Sequence, residues 1–182
     1  AELAGHVFDR VLEAELLLQL HELEDVAADA ASEAVEEAFV AVDDNKLRKS
    51  IVNMLQEVRH VQPVNAINSK ATISEKAVIG HGNFIDAHAY LAPGSAIGSH
   101  CLIQAKAFIG VEVTAGDFVQ IGVGSNINPG VKIEDEVFIG SGVTIVSGIT
   151  IGKGARIGAG SVVVAPVKAG ETVFGNPAKA IN

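Results

Sequence analysis

Tryptophan is absent from this chain, and tyrosine, cysteine and methionine occur once each among its 182 residues. Seven phenylalanines supply the rest of the aromatic content, so the core has to be aliphatic, which suits a narrow interior. The lone Cys101 excludes an internal disulfide framework and fits a reducing cytosol. No apolar run approaches membrane-spanning length, and the first residues lack the basic segment of a secretory signal. The expected location is therefore the cytoplasm. A basic stripe of the kind that binds nucleic acid is also missing. The net charge of −9 is unevenly placed: residues 1–44 hold thirteen acids against Arg10, and the remainder holds twelve bases against nine acids. The acidic segment reads as a solvated helix face. The mildly basic remainder is compatible with a phosphate-bearing small molecule.

What the chain does have is a period of six. From Ile73 to Ala169 every sixth residue is Ile, Leu or Val, except Ala115 and Ala169 themselves. The residue two places earlier is small or β-branched, as at Ala77, Ala89, Ser95, Cys101, Ala107, Val113 and Val119. Gly, Pro, Asn or Asp usually follows the aliphatic one. Six matches neither a helix nor a simple sandwich, and a repeat takes precedence over other readings. The pattern predicts a hexapeptide β-helix: each hexad makes a short strand and a turn, three hexads close a coil, and residue i lies beneath i+18, about 4.8 Å away. Alternating Cβ directions send the aliphatic residue and the small one inward. Three inner columns are expected: Ile73, Leu91, Ile109, Ile127, Ile145, Val163; Ile79, Ile97, Ala115, Ile133, Ile151, Ala169; and Ile85, Ile103, Ile121, Ile139, Ile157. Each buried Ile contributes roughly 1.5–3 kcal/mol, much of it offset by ordering the chain, so the stack rather than the single coil is the stable unit. Cys101 falls at an inward small position and reads as buried filler.

Before the repeat, residues 1–37 read as helix from Val7, Val11, Leu12, Leu16 and Leu20. Ala38 to Val42 is expected as a short buried strand, and Asp43-Asp44-Asn45 as turn and helix N-cap. From Lys46, Leu47, Ile51, Leu55 and Val58 line one face of a helix, with Arg48, Lys49 and Glu57 on the other. An extended lead interrupted by Pro63 follows. Residues 1–62 are thus expected to form a small α/β domain and residues 63–182 the β-helix, which Gly175-Asn176-Pro177 closes with a turn.

Asp44-Asn45-Lys46-Leu47-Arg48-Lys49, then Val64-Asn65-Ala66-Ile67, the hexads, and the closing Gly175-Asn176-Pro177-Ala178-Lys179 together resemble the left-handed β-helix sugar acyltransferases. The nearest branches are the sialic acid O-acetyltransferases and the nucleotide-amino-sugar N-acetyltransferases of the bacillosamine type. The resemblance covers about residues 38–182. It implies a mainly β chain, a left-handed parallel β-helix of hexapeptide repeats behind a truncated Rossmann-like α/β domain. It further implies acetyl-CoA as acyl donor, no metal, a homotrimer with the donor lying in grooves between neighbouring β-helices, and a nucleotide-linked or free amino sugar as acceptor. Polysaccharide biosynthesis is the setting that such an acceptor implies. In that family a histidine oriented by an acid deprotonates the attacking group. Gly110 to Phe118 is the matching segment, with Glu112 and Gly116-Asp117-Phe118 in register and Val111 where the histidine belongs. A second family histidine, which contacts acetyl-CoA, corresponds to Gln120. By the same correspondence Gly140, Ser141, Gly142, Gly158, Ala159 and Gly160 hold the pantetheine and adenine, and Gly5 and His6 stand where the family has its sugar-binding loop.

The other histidines carry less. His81 and His100 occupy corner positions one coil apart, which brings a metal to mind, but His88 is on another face and the pair is expected to be solvent-exposed. Glu112 has Gly94, Gly130 and Gly148 in its corner column, an arrangement that leaves an open slot beside the carboxylate. Phe84, Tyr90, Phe108, Phe118 and Phe138 are expected to point outward and be covered by subunit contacts. The favoured function is acetyl transfer to an amino or hydroxyl group of an activated bacterial sugar. The alternatives are a catalytically impaired trimeric scaffold or ligand-binding protein, which Val111 and Gln120 leave open, and a γ-carbonic-anhydrase-like metal site.

Overall fold

The computed structural model describes residues 38–181; the helix expected over residues 1–37, with Gly5 and His6, lies outside the described residues. The described residues form one compact unit. Its body is a parallel β-helix of very short strands, most of two residues, that collect into sheets of eight, six and five strands. The register is the eighteen-residue step that hexads predict: Phe84 pairs with Leu102, Tyr90 with Phe108, and Ala96 with Thr114.

Inside, the columns are buried from the second coil onward. Ile85, Ile103, Ile121, Ile139 and Ile157 are all at 0% exposure, as are Leu91, Ile109, Ile127 and Ile145. Small residues two places earlier fill the remaining width, and where they are polar they are satisfied: Asn83 donates to Gly98 O at 2.9 Å and accepts from Cys101 N at 2.7 Å. Cys101 is buried, and its thiol is pushed up to about 12, first of all by burial, so it is filler and not a nucleophile.

The last coil departs from the strict hexad. Ile151 bridges to Val167 and Ile157 pairs with Val173, each sixteen residues on. Val167 is therefore the buried member of its column, and Ala169, expected inward, is exposed. Two residues fewer between Val163 and Val167 tighten the final turn and substitute a larger aliphatic group for alanine. Thr172–Phe174 then pairs antiparallel with Lys179–Ala180, closing the stack as the Gly-Asn-Pro sequence predicts.

The lead-in contains helix α1, Asn45–Arg59, capped by Asp44, whose carboxylate accepts the Leu47 N–H at 2.8 Å. The run Ala38 to Val42 forms no strand; Ala38 makes an isolated bridge to Pro63, and Phe39 packs on Phe84 with ring centroids 6.2 Å apart. Without a partner strand beside it, this apolar segment is held by packing rather than by a ladder. Arg48 overturns its expected place on the outer face of α1: it is 1% exposed. Its guanidinium donates to Val42 O, Asp43 O and His100 O at 2.9, 3.0 and 3.2 Å, and to Asn45 Oδ1. These carbonyl dipoles solvate a charge that cannot be shed.

Candidate functional site

The turns between hexads stack into three edges, each a column of left-handed backbone positions. The first edge lies between the six- and five-stranded sheets and carries Gly94, Glu112, Gly130 and Gly148. The second, between the eight- and six-stranded sheets, carries His88, Lys106, Gly124, Gly142 and Gly160. The third, between the five- and eight-stranded sheets, carries Gly82, His100, Phe118, Glu136 and Gly154. Their N–H groups bond back to the coil before, as Gly142 N does to Val123 O at 2.8 Å, so the edges are rigid rails.

The third edge is occupied by α1. Asn45 donates to Phe118 O at 3.0 Å, and Lys49 pairs with Glu136 at 2.7 Å. The His100 ring stacks on Phe118 with centroids 4.9 Å apart. His81 and His100 do meet, edge to face at 5.1 Å. The expectation that both are exposed fails for His100, which is 5% exposed, because α1 docks over it. Burial, with His81 next, pushes its pKa down to about 4, and its Nδ1 has no hydrogen-bond partner. Among the described residues no group of three His, Cys, Asp or Glu is arranged to hold a metal ion.

On the first edge Val111 is 44% exposed and Glu112 is exposed beside it. A Cβ on Gly94 would come no closer than 3.5 Å to Glu112, and one on Gly148 would meet nothing within 4 Å. The carboxylate therefore stands at the mouth of an open slot, as the glycines in its column predict.

The second edge has the wider opening. A Cβ on Gly124, Gly142 or Gly160 would meet nothing within 4 Å, and Ser141 and Ala159 are exposed beside them. Gly140 and Gly158 behave differently. A Cβ on Gly140 would fall 2.6 Å from Ala159 N, and one on Gly158 would strike the Phe174 ring, so these two let successive coils close up. An extended chain laid along Gly124, Gly142 and Gly160 could touch backbone throughout, which is what an acetyl-CoA pantetheine arm requires. Gln120 is half-buried on the outer face of the eight-stranded sheet, between Leu102 and Phe138. That sheet faces away from the first edge across the triangular coil, so Glu112 and Gln120 of one chain cannot meet.

The outward aromatics are mostly covered within the chain. Phe84 lies under Phe39, Phe138 under the Arg156 guanidinium at 4.6 Å, and Phe118 is a corner residue beneath α1 rather than a strand residue. Tyr90, 38% exposed, stacks flat on Phe108 at 5.5 Å on the six-stranded sheet. With Val111 and Val123, 44% and 45% exposed at the flanking edges, they form the apolar strip of this face. Sequence reasoning missed Arg48 as an anchor; its signal is the Asp-Asn cap three and four residues earlier, which faces the same edge.

The sequence matches the bacterial transferase hexapeptide family (six repeats) over residues 76–110 and 130–165. Among curated proteins none matches it significantly. Solved structures do. A histidine-to-asparagine variant of perosamine N-acetyltransferase from Caulobacter crescentus, in complex with CoA and GDP-perosamine, is 28% identical with a TM-score of 0.81, covering 84% of this chain and 72% of that one. The acetyltransferase domain of PglB from Neisseria gonorrhoeae, also solved with acetyl coenzyme A, is 30% identical with a TM-score of 0.75, covering 79% and 69%. WeeI from Acinetobacter baumannii is 29% identical with a TM-score of 0.76, covering 80% and 70%.

Proposed function

Because this chain belongs to the hexapeptide-repeat sugar acetyltransferases, we propose that it moves an acetyl group from acetyl-CoA to the amino group of an activated bacterial sugar. The observation that carries this reading is the bare second edge, three left-handed glycines in line with nothing within 4 Å of where their side chains would be. Ser141 and Ala159, with Gly142 and Gly160, hold the pantetheine and adenine there, and Gly140 and Gly158 keep those coils close enough to form a continuous rail. The thioester, when bound, supplies the activated acyl group; the chain orients it and receives the proton that the attacking amine must lose. Val111 cannot take that proton, so Glu112 in its open slot is the candidate base.

Glu112 and Gln120 lie on opposite sides of one coil, so a site that uses both needs a second copy. A homotrimer joined along the six-stranded sheet would bring one chain's first edge to its neighbour's second and would cover Tyr90, Val111 and Val123. No described helix is long and apolar enough to cross a membrane. A buried free thiol at Cys101 and a nucleotide-activated acceptor both suit the cytoplasm. Gly5 and His6 are retained as candidate sugar contacts.

The test is release of free CoA thiol from acetyl-CoA in the presence of nucleotide-linked amino sugars, with the matching hydroxy sugars as controls, alongside calorimetric binding of acetyl-CoA. Acceptor-dependent thiol release with the amino sugars is the expected result. Absence of acetyl-CoA binding at millimolar concentration would reject the reading.

A further inference from the structure

Among the described residues seven that are not glycine hold a left-handed backbone: His60, His88, His100, Lys106, Glu112, Phe118 and Glu136. A Cβ makes that conformation unfavourable, and where it persists it points to a task. Five have one already. His60 caps α1, His100, Phe118 and Glu136 receive it, and Glu112 borders the slot on the first edge. His88 and Lys106 have none among the described residues: both are exposed, and neither enters an ion pair there.

These two are neighbours on the second edge. Lys106 N donates to Ala87 O at 3.0 Å, and His88 N donates to Lys70 O at 3.2 Å. Lys70, His88 and Lys106 thus occupy one turn position on three successive coils, and Gly124, Gly142 and Gly160 occupy it on the next three. The residues preceding the basic three, Ser69, Ala87 and Ala105, are small and uncharged. Asp86, two residues before His88, accepts the Ala87 N–H at 2.6 Å and forms no ion pair with the basic three among the described residues. One edge is therefore basic along its first half and bare along its second.

We propose that Lys70, His88 and Lys106 form the subsite for the acceptor's diphosphate. The inference rests on the acetyl-CoA reading above. With adenine beside Ala159 and pantetheine beside Ser141, the donor runs along the edge toward Gly124, and the next coil beyond its acyl end is that of Lys106. A sugar held there presents its amine to the thioester and its phosphates to the basic coils. Three coils at one strand spacing each put Lys70 and Lys106 about 10 Å apart, within reach of two linked phosphates from flexible stems. Lysine serves phosphate as a point charge and needs no fixed fork.

The donor carries phosphates too, so the experiment separates the two sources. On the full chain, Lys70→Ala with Lys106→Ala should raise KM for a nucleotide-linked amino sugar at least tenfold. KM for acetyl-CoA should stay within threefold, and KM for the same sugar without its nucleotide should not change. Calorimetric affinity for GDP or UDP should fall in parallel, while Lys132→Ala, on the outer face of the five-stranded sheet, leaves all three values alone. Lys106→Gly, which removes the Cβ from a left-handed position, should weaken nucleotide binding and keep or raise Tm. A lower Tm would make Lys106 structural and overturn the proposal. A rise in acetyl-CoA KM instead would assign the edge to the donor and overturn it as well. If the unmodified chain binds acetyl-CoA but neither nucleoside diphosphate, the subsite fails and the acetyltransferase reading stands. If it binds the nucleotide and not acetyl-CoA, the acetyltransferase reading fails and the acceptor assignment of the three basic residues falls with it.

Discussion

On the proposed function, the rate turns on Val111. It is exposed at the mouth of the Glu112 slot, with no group that can accept a proton. A well-placed general base contributes typically ~10²–10⁴-fold, and the Glu112 carboxylate is a weaker base than the imidazole it replaces in that role. Val111→His should therefore raise the acetylation rate at least tenfold in steady-state assays and leave acetyl-CoA affinity within a few-fold. An unchanged rate with several amino sugars would mean that residue 111 does not face the reacting atoms. His100 tests a different property. It is buried against Phe118, and His81, Asp117 and Arg48 are the charged or titratable groups acting on it. Its folded pKa of about 4 lies below the ordinary 6.5, so the unfolded chain binds its proton first as pH falls. The stability that neutral His100 contributes is whole above pH 6.5, declines through the interval, and is lost below about 4. Urea titrations across that window should show the decline, and His100→Gln should flatten it.

Helix α1 and the glycine rail make predictions at the scale of elements. Arg48 ties α1 to the third edge and to its own lead-in through three carbonyls. Arg48→Ala takes the partner from the buried contact at His100 O and from the part-buried ones at Val42 O and Asp43 O, and should cost about 2–4 kcal/mol in chemical unfolding. Lys49–Glu136, partly exposed on both sides, should cost under about 1 kcal/mol when broken. A small Arg48 effect would mean that the Ile51 and Val52 contacts alone hold the helix. Glycines two residues apart on the second edge should behave oppositely. Gly140→Ala drives a Cβ toward the Ala159 backbone and should lower stability by about 1–3 kcal/mol, as overpacking does, with acetyl-CoA affinity kept in the folded fraction. Gly142→Val sets a side chain on the open rail and should weaken acetyl-CoA binding at least tenfold by calorimetry, whatever its cost in stability.

For the whole molecule, the division of the candidate site residues between opposite sides of the coil makes assembly the central expectation. Light scattering at micromolar concentration should give about three times the 18.8 kDa chain mass. A monomer mass would remove the partner that a combined Glu112–Gln120 site needs. Tyr90→Glu, placed on the Tyr90–Phe108 strip, should shift the assembly toward monomer.

The hexad alone determined the β-helix, its register and nearly every inner column, because a six-residue period repeated over this length admits one way of burying its aliphatic residue. It also marked the Glu112 slot, since a missing side chain is visible in sequence, whereas the candidate donor coils came from the resemblance to the acyltransferase family. It failed where the third dimension selects among equivalent positions. Periodicity sees Arg48 as a polar residue on a polar face, and only the arrival of carbonyls from His100 and the lead-in makes that position an interior one. Gly142 and Gly140 look alike in sequence, yet one points into solvent and the other into the next coil, because inward and outward alternate within a single turn. Ala169 fits the period but not the fold: a coil two residues shorter brings Val167 inward, and coil length is decided by closure against the preceding strands, not by the local pattern.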